Sequence, residues 1–135
     1  MVRTPKTTWI NPFDDITIWL DYFRRDKISA IKLEQTVDNG NKEIWLYINR
    51  EGIRVELRNK DYGNYDILKE AKLNGGKKIL RKINRLLRET ETTIGTLTTF
   101  TGERTIGREI YGIVKTTLER LAKDNEKAME IIRLM

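Results

Sequence analysis

The sequence predicts an α+β protein: an N-terminal helix, a three- to four-stranded antiparallel meander, then a basic helix and a C-terminal helical region. Three observations lead there. A two-residue apolar period runs through residues 31–58, turn-forming residues divide that stretch, and the segments on either side carry apolar residues three and four apart. At 135 residues the chain suits one domain and can bury a core without disulfide or metal support.

Residues 1–8, with Arg3, Pro5, Lys6 and three threonines, read as an exposed arm. Asn11-Pro12 reads as a helix start: Asn caps, Pro fits the first helical position, and Asp14 and Asp15 suit the positive first turn. Arg24, Arg25 and Lys27 complement the other end. Phe13, Ile16, Leu20 and Phe23 recur at helical spacing beside Trp19, a stripe expected to pack on the sheet, with a partner-binding face as the alternative.

In the meander, Ile31, Leu33 and Val37 alternate with Lys32, Glu34 and Thr36 along residues 29–37. Asp38-Asn39-Gly40-Asn41 is a hairpin turn, because Asn-Gly readily takes positive φ. In residues 43–49, Ile44, Leu46 and Ile48 oppose Trp45, Tyr47 and Asn49. Arg50-Glu51-Gly52 turns the chain again, with Gly52 expected in a left-handed conformation. Ile53, Val55 and Leu57 then alternate with Arg54, Glu56 and Arg58. Residues 65–73 read as a short helix or irregular segment with Ile67, Leu68 and Ala71 inward.

Residues 77–88 form the basic helix. Ile79, Leu80, Ile83, Leu86 and Leu87 make one stripe, and Lys77, Lys78, Arg81, Lys82, Arg85 and Arg88 occupy the rest with no acidic residue among them. Such a run is either a solvated face or a phosphate-contacting one. A membrane surface fits less well, since the apolar stripe is needed to cover the sheet. Residues 90–105 hold eight threonines and could be a mobile loop, a fourth strand near 96–101 or a poorly formed helix on Ile94, Leu97 and Phe100, with a loop of some extended structure favoured; Phe100 is core if the loop docks and part of the aromatic face if it does not. From residue 104 the chain is helical again. Ile106, Ile110, Ile113, Thr117 and Leu121 form a stripe that Ala128, Ile131, Ile132 and Met135 resume after Asp124-Asn125. A homo-oligomer, a dimer or higher, is expected through Ile106, Ile110, Ile113, Leu121, Ile131 and Ile132; packing onto the first helix is the alternative. The organisation is thus an α+β core at 1–90, a Thr-rich linker at 91–105 and a helical assembly region at 106–135, together one compact unit.

Composition narrows the chemistry. With no Cys, no His and Ser29 as the only serine, thiolate metal sites, the common zinc sites and Cys/His or Ser/His/Asp catalysis are excluded. Gly75-Gly76-Lys77-Lys78 lacks the first glycine and the Ser/Thr of a P-loop. Asp14, Asp15, Glu34, Glu43 and Glu56 permit a metal-dependent nuclease, but no spacing among them requires one. No enzyme, metal or cofactor is therefore expected. The chain has no apolar signal core or membrane-length run, so a soluble, cytoplasmic protein is expected. Lys, Glu, Arg and Ile abundance without Cys fits a thermophile.

The formal charge of +6 favours an anionic partner. Trp45 and Tyr47, two apart on one strand, share a sheet face with Lys32, Arg54 and Arg58, where unpaired bases can stack while cations follow the backbone. The alternative buries both rings in a second core. The leading expectation is non-catalytic binding of single-stranded DNA or RNA by this face plus the basic helix. Its rival is an oligomeric protein-interaction module that binds no nucleic acid. The order of aromatic-bearing meander (residues 31–58), basic helix (77–88) and zipper-like stripe (106–135) resembles the ThermoDBP type of single-stranded DNA-binding protein of thermophilic archaea. That resemblance implies a compact α+β binding domain with a basic, aromatic cleft and a helical assembly region.

Overall fold

The structure, a computed structural model, describes residues 4–60, 66–93 and 100–135, with side chains from 104 onward in the last of these. Six strands form one antiparallel meander in sequence order: β1 (Lys6–Phe13), β2 (Ile16–Arg24), β3 (Lys27–Val37), β4 (Lys42–Ile48), β5 (Ile53–Asn59) and β6 (Ile67–Leu73). Among the described residues three helices follow: α1 (Gly76–Glu89), α2 (Phe100–Leu121) and α3 (Glu126–Ile132).

The expected N-terminal helix is instead the β1–β2 hairpin. Ile16, Ile18 and Leu20 are buried while Thr17, Trp19 and Asp21 between them are not, the alternation of a half-buried strand. Phe13, Ile16, Leu20 and Phe23 matched a helical spacing, but the β-branched run Ile16-Thr17-Ile18 favours extended backbone. Pro12 lies at a register shift between Ile10 and Phe13 in an edge strand, where its missing N–H leaves no ladder bond unmade. Asp14 and Asp15 connect the two strands rather than starting a helix. The supposed arm contributes Lys6, Thr7 and Thr8 to β1.

The meander of β3, β4 and β5 has the expected register, with Leu33 opposite Leu46 and Leu46 opposite Val55. Asp38, Asn39 and Gly40 all take positive φ at the first turn. Gly52 does not; there the Asn49 side chain accepts hydrogen bonds from the Glu51 and Gly52 N–H groups and holds the turn. Residues 67–73 form an edge strand, not a helix, and Ile67 and Leu68 are exposed while Ala71 and Leu73 are buried. Residues 94–99 of the Thr-rich segment lie outside the described residues, as does the Phe100 side chain. Helix α2 begins at Phe100, within the Thr-rich segment.

All three helices serve one sheet face. Ile79, Leu80, Ile83 and Leu87 of α1, Ile110, Val114 and Leu118 of α2, and Ala128, Ile131 and Ile132 of α3 join the aliphatic side chains of the six strands in one core. Close approach requires small residues. Gly76 opens α1 against the Asn49 and Gly52 carbonyl oxygens, and Gly107 of α2 lies against Ile10 and Pro12. Asp124-Asn125 divides α2 from α3, with the Asn125 side chain accepting from the Ala128 N–H as a cap.

Candidate nucleic-acid interface

Because α1 lies on the aliphatic face, its basic side and the aromatic face expected to work with it are on opposite sides of the sheet. The structure therefore offers two separate surfaces.

The first is a cleft of about 480 Å3 between α1, the β2–β3 hairpin and the β4–β5 turn. Arg24 and Lys27 come from the hairpin, Arg50 from the turn, and Lys77, Arg81 and Arg88 from one side of α1. Among the described residues no carboxylate lines it, and only Arg24 of these six is ion-paired, to Asp26 at 3.0 Å. Phe23, 41% exposed, and Leu80 supply apolar surface. The hairpin is tied to the helix by Asn84, a buried amide that accepts from the Ile28 N–H at 2.8 Å and donates to the Ile28 carbonyl at 3.0 Å. Ile28 lies where β3 runs past its pairing with β4, which ends at Ile31–Ile48, so the amide takes up backbone groups that no strand pairs there. Of the other α1 cations, Lys78 and Arg85 are exposed outside the cleft, and Lys82 donates to the Thr117 hydroxyl of α2 at 3.3 Å.

The second surface is the sheet face left uncovered by the described residues. Trp45 and Tyr47 lie on it, half-buried, with Lys32, Arg54 and Arg58 as the alternation implied. Trp9 and Trp19, paired across β1 and β2, join them, so all three tryptophans of the chain share this face; Trp9 is 60% exposed. The rings already hold cations. Lys32 Nζ sits 4.8 Å from the Trp19 centroid and 4.3 Å from that of Trp45, Arg54 lies 4.3 Å from Tyr47, and Arg58 4.1 Å from Trp45. Carboxylates accompany each cation. Glu56, 2% exposed, pairs with Arg58 at 2.6 Å and Arg54 at 3.3 Å, Glu34 with Lys32 at 3.7 Å, and Glu43 accepts from Trp45 Nε1 at 2.8 Å. Burial pushes the Glu34 carboxyl above its usual range, more than Lys32 pulls it down, and Glu43 adds to the upward push. Burial and the neighbouring Glu56 likewise raise the Tyr47 phenol. By strand register the face carries Lys32, Arg54, Arg58 and Lys72 against Asp21, Glu34, Glu43, Glu56 and Glu70, so its charge is balanced. The excess positive charge lies elsewhere, and the cleft holds a concentrated part of it.

Of the stripe expected to assemble copies, Ile110, Ile131 and Ile132 are fully buried in this chain's own core, and Ile106, Ile113 and Leu121 are half-buried against it. Asp14 and Asp15 are exposed at the β1–β2 turn, and among the described residues no group of three carboxylates could hold a metal ion.

Phe23, Arg24, Lys27 and Arg50 were missed as site residues because they come from two separate turns. The one signal for them is charge at hairpin tips. Comparison of the chain with protein-family models, curated proteins and solved structures found no match.

Proposed function

We propose that this protein binds single-stranded nucleic acid without catalysing a reaction, and that the cleft beside α1 takes the phosphate backbone. The observation that carries this reading is the cleft lining: six cations from three elements converge on about 480 Å3 with no carboxylate among them. Convergent Lys and Arg attract phosphates by charge and counterion release, and the fork of an arginine suits a phosphate's paired oxygens. Phe23, 41% exposed, adds apolar surface beside the cations. A cleft of this volume is in the range of small-ligand sites and has room for a nucleotide. The ThermoDBP resemblance implies the same combination of basic cleft and aromatic ring. The uncovered sheet face makes a weaker case for the same ligand, since its charge is balanced and its rings are occupied.

The test is binding of a labelled single-stranded oligonucleotide, as DNA and as RNA, to the wild type, to Arg81→Gln/Arg88→Gln and to Trp45→Ala. Arg81 and Arg88 are exposed, so the double variant should fold normally. It should bind at least tenfold more weakly, as expected when two phosphate contacts are lost. Trp45→Ala should bind as the wild type does. Unchanged binding by the double variant counts against the cleft. Loss of binding in Trp45→Ala alone moves the site to the sheet face.

A further inference from the structure

We propose that the uncovered sheet face is a self-association surface on which a second copy of this chain packs about a two-fold axis. The argument starts from the order of charges across the strands. Lys32 of β3, Arg54 of β5 and Lys72 of β6 fall in one row perpendicular to the strands, with Trp19 of β2 and Tyr47 of β4. Glu34, Glu56 and Glu70, each two residues along the same three strands, fall in the adjacent row with Trp45. A cationic stripe therefore runs beside an anionic one.

Within one chain this order carries a cost. Arg54 stands directly opposite Lys72, and Glu56 directly opposite Glu70, and like charges at paired positions destabilise a sheet. A two-fold axis lying in the face, along the boundary between the stripes, resolves it. Rotation about that axis sets the cationic stripe of one copy on the anionic stripe of the other and leaves position along the stripe unchanged. Lys32 and Lys72 then meet partner carboxylates from the same strand positions, while Arg54 stays paired to the nearly buried Glu56 of its own chain. Such an interface is isologous and closed. The strands of the two copies are aligned, as in common face-to-face sheet packing.

Composition and size agree. The face gathers every tryptophan in the chain, together with Tyr47, Arg54 and Arg58, and these three residue types are the ones enriched at protein interfaces. Six strands about 4.8 Å apart, over about five residues at 3.3 Å, give roughly 500 Å2 in plan. With side-chain relief this approaches the ~800 Å2 per partner of a standard interface. The cleft lies on the opposite side and stays accessible in such a dimer, so the inference does not depend on the proposed nucleic-acid binding.

The test is sedimentation equilibrium of the free protein over a concentration series, with tryptophan emission followed on dilution. The wild type should be a dimer whose emission shifts to the red as it dissociates. Glu70 and Lys72 are exposed, so reversing either charge leaves the fold intact. Glu70→Lys or Lys72→Glu should raise the dimer dissociation constant at least tenfold, since each change acts at two symmetric places. The double variant Glu70→Lys/Lys72→Glu exchanges the stripes at β6 and should restore association. A monomeric wild type at 100 µM, or single reversals without effect, would overturn the proposal. So would a dimer lost on changing Ile106 and Ile113 and kept when the face is changed. A monomer whose tryptophans are quenched by an oligonucleotide, with binding abolished by Trp45→Ala, would assign the face to nucleic acid instead.

Discussion

Replacing Asn84 with Leu tests how the cleft is held together. The amide satisfies both the N–H and the C=O of Ile28, and the site is buried. Leucine is close in size, so little volume is lost, but two backbone groups are left without partners away from water. Each such group costs about 1–3 kcal/mol, partly offset by the added apolar burial, giving about 3 kcal/mol in sum. For a chain of this size that corresponds to a fall in Tm of roughly 10 °C, read by circular dichroism. Asn84→Asp keeps the acceptor and loses the donor. A fall under about 3 °C in Asn84→Leu would refute the claim that this side chain clamps α1 to the β2–β3 hairpin.

Further expectations follow from the same geometry. Gly76→Ala sets a methyl group against two backbone oxygens, of Asn49 and Gly52, which cannot withdraw as a side chain can. It should destabilise by about 4 kcal/mol or more, seen as loss of folded protein in a denaturant titration. The proposed dimer should depend on pH through Glu34, which Lys32 on its own strand, Glu43 on β4 and Arg58 on β5 already face. A partner's lysine beside it favours the ionised carboxylate. Association should then be constant above that raised value and weaken as pH falls through it toward 4.5 and below, checked by sedimentation at several pH values.

Much of the sheet was legible in the sequence and the N-terminal third was not. Residues 31–58 alternate strictly and are cut by Asn39-Gly40 and Gly52, so period and turn chemistry agree there. In residues 13–23 the two periods compete: Phe13, Ile16, Leu20 and Phe23 fit a helix, while Ile16, Ile18 and Leu20 fit a strand. Asn11-Pro12-Phe13-Asp14-Asp15 also imitates a capped helix start. The β-branched pair Ile16 and Ile18, flanking Thr17, was the available signal. Strand β6 had no readable pattern because an edge strand ending in exposed Ile67 and Leu68 buries only Ala71 and Leu73. Reading residues 1–8 as an arm and a helix from Asn11-Pro12 also hid Trp9 and Trp19 from the aromatic face and Phe23, Arg24 and Lys27 from the cleft. The face holding Trp45, Tyr47, Lys32, Arg54 and Arg58 was correctly assembled from alternation. That the basic helix lies on the other side depends on which face α1 covers, and no local pattern states that.

The central claim is that phosphate is taken up by the convergent cations of the cleft, and its most direct measurement is the salt dependence of single-strand binding. If all six cleft cations contact phosphate, log K should fall with log salt at a slope of about −4, a loss of roughly 300-fold between 50 and 200 mM. Arg81→Gln/Arg88→Gln should flatten that slope to about −3. Binding that is absent, or that keeps the same slope in the double variant, would contradict the account.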